Sequence, residues 1–175
     1  MAGTLIVSLD FELFWGMLDC STLEAYQDHV LGGRKAIPQL LQIFEKYGIH
    51  ATWATVGFQF ARSREELEPF FPPEALRPTY EKTELNPYPW FDTIGRTEAE
   101  APCFFAASLV EQIGKTPGQE IGSHTFCHYY CREKDRPWNS SRLICGRPGP
   151  WALLRAMTCN PLFCPGISVS RSMSG

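Results

Sequence analysis

Glu120-Ile121-Gly122-Ser123-His124-Thr125-Phe126-Cys127-His128 sets two histidines four residues apart, just after a short apolar run. Neutral imidazole is the commonest side-chain ligand for zinc-like ions, so a pair at this spacing suits one divalent metal. On a helix the spacing would put both rings on one face. Gly122 and Ser123 instead place the pair on a loop leaving a strand. Taken alone, two histidines so spaced are a weak signal, and an unrelated pair is the more common reading. A partner near the N-terminus changes that reading: Asp10 and Glu12 close the apolar run Thr4 to Leu9. Two imidazoles and a carboxylate, with a position left open for water, form a recurrent hydrolytic metal site.

Residues 4 to 9 are apolar or hydroxylic without alternation, the pattern of a strand buried on both faces of a parallel sheet. Functional residues of such sheets sit just past the carboxyl ends of the strands, where Asp10 and Glu12 fall. Gly32 and Gly33 are expected to break the chain before a helix carrying Ile37, Leu40, Leu41, Phe44 and Tyr47 at helical spacing. Pro38 is tolerable there only in the first turn, and Gly48 suits the position that ends the helix. Ala51 to Gly57 reads as a second strand, which makes a right-handed βαβ unit and a parallel sheet. A second amphipathic helix is expected over Phe104 to Ile113, and Gly118 leads into the strand that carries the histidines. His29 and His50 read as structural or exposed.

With these elements in place, Ser8-Leu9-Asp10-Phe11-Glu12 and His124-Thr125-Phe126-Cys127-His128 resemble the two leading motifs of the polysaccharide deacetylase (NodB-homology) family. The first motif there is an acidic pair ending strand one, and the second is His-Ser/Thr-x-x-His. The second matches fully. In the first, Phe11 separates the acids, where the usual form has adjacent aspartates. The resemblance covers roughly residues 4 to 134. It implies an α/β fold, the N-terminal part of a distorted (β/α) barrel of the glycoside hydrolase and deacetylase type, incomplete in this chain. It also implies metal-dependent hydrolysis of a non-peptide carbon–nitrogen bond, N-deacetylation of an amino sugar in a polysaccharide or glycolipid. Glu12, His124 and His128 would bind zinc or a similar divalent ion, and Asp10 would be the general base. The family's later histidine, a general acid for the leaving amine, has no counterpart here. A small cyclic or linear amide is an alternative substrate.

The chain has 175 residues, 44% hydrophobic and 20% charged, with net charge −3, enough for one domain with a real core. No basic patch argues for nucleic acid, and no apolar run approaches the ~18 residues needed to cross a bilayer. Met1 to Thr4 lack a basic n-region, so a cytoplasmic location is expected rather than secretion. The seven cysteines are then free thiols by default. Cys127 and Cys131 interleave with the histidines, which keeps a structural zinc module as an alternative.

Between residues 69 and 102 prolines alternate with Phe70, Phe71, Tyr80, Tyr88, Trp90 and Phe91. A long aromatic loop of this kind is expected to form an ordered lid over a substrate groove. Trp15, Tyr88 and Trp90 are the candidates for stacking on sugar rings, and a glycan-binding module without catalysis is a further alternative.

After about Lys134 the pattern collapses. Residues 135–175 show neither helical nor strand periodicity, yet hold Trp138, Trp151, Cys145, Cys159 and Cys164, unlike a disordered tail. Moving the reading frame back by one nucleotide, within codon degeneracy, turns this segment into an amphipathic helix and a buried strand ending in arginine. The expectation is a deacetylase domain over 1–134, a non-native frameshifted tail over 135–175, and a chain that is inactive as written.

Overall fold

Ala51-Thr52-Trp53-Ala54-Thr55 is the central strand of the molecule, and its alternation decides how the rest packs. Ala51, Trp53 and Thr55 are buried, while Thr52 and Ala54 face the other way and are half-buried. The computed structural model describes residues 3–130. Among them the sheet has three parallel strands in the order β1-β2-β3: β1 (Ser8–Phe11), β2 (Ala51–Thr55) and β3 (Gln119–Ser123). Asp10 lies opposite Ala54 on one side of β2, and Gly122 lies opposite Ala54 on the other.

Helix α1 (Leu23–Tyr47) connects β1 to β2, with the Thr22 hydroxyl accepting from the Ala25 N–H at its start. At its end Gly48 takes a left-handed φ of 63°, which a glycine adopts without a Cβ penalty. Helix α3 (Ala107–Lys115) precedes β3 and buries Leu109, Val110 and Ile113. The short helix α2 (Arg64–Leu67) lies between them in the chain. Arg34 ties α1 to the start of α3. Its guanidinium donates to the Phe105 carbonyl at 2.7 Å and to Glu98 at 2.6 Å, and Glu98 in turn accepts from the Ser108 N–H. A carboxylate at that position also suits the positive end of α3.

The buried side of the sheet carries Phe11 and Trp53, with Phe44 of α1 set 6.3 Å from Trp53. Successive parallel strands joined by right-handed crossovers place their helices on one face. The opposite face holds Ser8, Asp10, Thr52, Ala54, Glu120 and Gly122, small or polar, and among the described residues no helix covers it.

Four expectations are corrected. The first strand begins at Ser8, not Thr4; the Val7 carbonyl still accepts from the Thr52 N–H at 3.0 Å, but the pairing goes no further back, and Leu5 and Ile6 are 88% and 82% exposed. Helix α1 runs straight through Gly32-Gly33 with Pro38 in its interior. Each glycine costs about 1 kcal/mol of propensity and proline removes one backbone bond, but burial of Val30, Ile37, Leu41 and Phe44 outweighs those local penalties. The second helix starts at Ala107 rather than Phe104. The aromatic segment 69–102 is a wall of the core, not a lid. Phe58 is its hub, with ring centroids 5.0 Å from Trp15, 5.8 Å from Tyr88, 5.1 Å from Phe91 and 4.9 Å from Phe126.

No described helix is long and apolar enough to cross a membrane. The expected non-native tail, 135–175, lies outside the described residues.

Candidate metal centre

β1 ends at Phe11 and β3 at Ser123, side strands of the same parallel sheet, so both release the chain at the same edge. Glu12 follows directly on β1. Its backbone then enters a 3-10 turn, Leu13–Met17, anchored by fully buried Phe14 and Trp15. The Phe14 N–H donates to the Cys103 carbonyl at 3.1 Å, and the Trp15 indole N–H to the Phe104 carbonyl at 2.9 Å.

The histidine loop is held from the other side by the residues that follow β2. The His124 N–H donates to the Thr55 carbonyl at 2.9 Å. Gly57 and Phe58 donate from their backbones to Thr125 and Phe126 at 2.9 and 3.1 Å. Gly57 is needed for that approach: a Cβ there would sit 2.8 Å from the Phe126 Cα and 2.9 Å from its carbonyl oxygen.

These two frames bring Glu12, His124 and His128 together. Both Nε2 atoms point at the same carboxylate oxygen, His124 at 3.1 Å and His128 at 3.0 Å. One ligand atom from each of the three residues lies within 4.8 Å of the others, and all three side chains are half-buried. Around a tetrahedral ion with bonds of 2.0–2.1 Å, ligand atoms stand about 3.3 Å apart. The donor set, with both histidines 3.0–3.1 Å from one carboxylate oxygen, could hold a divalent ion. Nδ1 of His128 is buried and has no hydrogen-bond partner among the described residues. The acceptor that usually steadies a ligating imidazole from behind is thus not supplied by residues 3–130.

The electrostatics agree with a site built for positive charge. Hydrogen bonds from His124 and then His128 hold the Glu12 carboxyl down at about 2, against the opposing effect of burial. The hydrogen bond to Glu12 raises His124, helped by the charge of Asp10. Asp10 itself is exposed on the open sheet face, outside the ligand group yet close enough for its charge to reach His124.

Backbone strain is concentrated at the same place. The non-glycine residues with left-handed φ among the described residues are Leu13 (49°), Thr125 (63°) and His128 (52°). One follows Glu12, one follows His124, and the third is itself a member of the Glu12–His124–His128 cluster. Each costs about 1–2 kcal/mol, most clearly for β-branched Thr125. Such positions persist where the surroundings over-determine them, which is the habit of functional sites.

The stacking candidates fare differently. Trp15 is fully buried and Tyr88 is 5% exposed, so both belong to the core and neither offers a ring face to a sugar. Burial, followed by the neighbouring Cys127, pushes the Tyr88 phenol far up. Trp90 is half-buried, packed against Phe14 and Phe104. Cys127 is 1% exposed and stands apart from the ligand group, and Cys131 lies outside the described residues.

Two neighbours of the site carried no sequence signal. The Tyr130 ring stands 4.9 Å from His128, and its hydroxyl is 3.5 Å from Asp19. Gly16 lies against Glu12, in a turn whose form only the structure shows. Comparison with protein-family models, with curated proteins and with solved structures found no match to this chain.

Proposed function

We propose that the chain carries the metal-binding part of a hydrolase for non-peptide carbon–nitrogen bonds, acting in N-deacetylation of an amino sugar. The observation that carries this reading is the convergence of Glu12, His124 and His128 at the carboxyl-terminal edge of a parallel sheet, beside an unligated Asp10. Both motifs that resemble the polysaccharide deacetylases supply it. The three parallel strands with their connecting helices are compatible with the start of a distorted (β/α) barrel.

In this reading Glu12, His124 and His128 hold the divalent ion, zinc by the chemistry of its donors. When bound, such an ion polarises an amide carbonyl and makes water nucleophilic near neutral pH. The Asp10 carboxylate takes the proton from the attacking water. The new carbon–oxygen bond replaces the carbon–nitrogen bond, and the amine leaves with a proton. His29 stacks on Tyr26 within α1 and His50 precedes β2 at the opposite edge, so neither stands at that proton.

The test has two levels. The chain as written is expected to take up to one divalent ion, lost in His124→Ala, as read by elemental analysis after dialysis. Acetate release from an N-acetylated amino-sugar oligomer is expected only after the reading frame is restored beyond Lys134. In that restored chain Asp10→Asn should keep the metal and lose about 10²–10⁴-fold in turnover, the usual worth of a positioned base. Equal metal content in parent and His124→Ala overturns the site. Acetate release by the chain as written overturns the tail reading, and metal loss in Asp10→Asn with retention in Glu12→Gln reverses the two acids' roles.

A further inference from the structure

We infer that Gly16 is a positioning residue for the metal centre: the absence of a side chain there is what allows the Glu12 carboxylate to lie where both histidines reach it. The inference rests on Glu12 being a ligand. A Cβ built on Gly16 would fall 2.1 Å from the Glu12 Cδ, 2.1 Å from its Oε1 and 2.6 Å from its Cγ. Real Cβ atoms do not approach other heavy atoms below about 3 Å, so the carboxylate and a residue-16 side chain cannot share this space.

Backbone conformation is not what calls for glycine here. The described glycines with left-handed φ are Gly48 and Gly118; Gly16 is not among them, so its own φ does not call for glycine, although Leu13 at the start of the same turn is left-handed. Nor can the turn retreat. Phe14 and Trp15, on its inner side, are fully buried and bonded through to Cys103 and Phe104. Glu12 is the mobile partner in the collision, because its side chain is flexible and 27% exposed, whereas the turn is pinned by buried rings. A methyl group at position 16 therefore turns the carboxylate out of the triad and leaves the fold standing.

Glu12-x-x-x-Gly16 is consequently one unit. The Trp15 N–H donates to the Glu12 carbonyl at 3.1 Å, so the turn folds residue 16 back over residue 12.

The experiment measures zinc affinity by competition with a chromophoric chelator, alongside urea unfolding in excess chelator. It uses the full-length chain and its variants Gly16→Ala, Glu12→Ala, the double variant and His124→Ala. Gly16→Ala should weaken zinc binding by about 10–100-fold, the usual cost of removing a group that orients a ligand. Its metal-free stability should fall only by the Glu12–histidine pairing that is lost, a loss that shrinks at pH 8.5 and is absent in the Glu12→Ala background. In the Glu12→Ala background the atoms that collide are gone, so adding Gly16→Ala should leave the residual affinity within twofold. A purely structural glycine would instead lower stability in both backgrounds, and that result overturns the inference. So does parental zinc affinity in Gly16→Ala while His124→Ala loses the metal, which leaves the site itself intact. If the parent takes up no zinc, the site and the inference fall together.

Discussion

Glu12→Gln separates the electrostatics of the triad from its shape, because glutamine keeps the length and removes the charge. In the metal-free protein the carboxyl stands at about 2 rather than 4.5, a difference equivalent to roughly 3–4 kcal/mol before screening. The depressed Glu12 and the raised His124 describe one interaction and are counted once. The Glu12, His124 and His128 side chains are 27%, 32% and 16% exposed, so solvent screens much of it and about 1–2 kcal/mol remains. The sign differs for the two partners. A depressed carboxyl stabilises the fold above its ordinary 4.5, and that contribution fades as pH falls toward 2. A raised histidine stabilises it below its ordinary 6.5, and that contribution fades as pH rises through the raised value. Pairing is therefore strongest between about 4.5 and 6.5. Urea unfolding in excess chelator should show Glu12→Gln less stable than the parent by about 1–2 kcal/mol at pH 5.5, with a clearly smaller gap at pH 8.5. A gap of the same size at both pH values would refute the charge pairing and leave only a packing effect.

Gly57→Ala should lower both stability and zinc affinity, by about 1–3 kcal/mol and at least tenfold, because its Cβ would meet the buried Phe126 ring at 2.6 Å and the Phe126 backbone at 2.8 and 2.9 Å. Urea unfolding and chelator competition read the two losses; a variant that keeps parental zinc affinity shows that the histidine loop does not depend on that close approach. Cys127→Ser should keep zinc affinity within threefold while losing about 1 kcal/mol of stability, since the thiol is buried against Tyr88 and outside the ligand group. Loss of zinc from a folded Cys127→Ser would make the sulfur a ligand and revive the structural zinc alternative.

What the sequence showed of this site came from spacing and chemistry together. His124, His128 and Glu12 were readable because ligand-type residues at strand ends are uncommon enough to be informative. Gly48 was readable because a glycine at the end of a helical stripe has few other uses. Gly32, Gly33 and Leu5 misled for the opposite reason. Local propensity judged them, whereas the packed stripe of α1 decided the glycines and the absence of a pairing partner decided Leu5. Trp15 and Tyr88 were ambiguous in kind, since an aromatic ring suits a sugar platform and a core equally, and only burial separates the two. Gly16 was hidden because its role depends on where a neighbouring side chain lies, which no periodicity encodes.

β2 contributes no ligand, yet it is the ruler of the centre. Glu12 and His124 lie more than a hundred positions apart in the chain, and β2 is the strand that pairs with both of theirs. A slip of one residue along it would turn a neighbouring strand's side chains to the wrong face. A slip of two would restore the face but displace that strand by about 6.6 Å, twice the 3.1 Å that joins His124 to Glu12. The ligands can thus meet in a single alignment, so they assemble late in folding, after all three strands have found their pairing. An ion that binds only the assembled triad would then act as a proofreader of strand alignment, holding the correctly paired chains and releasing the slipped ones.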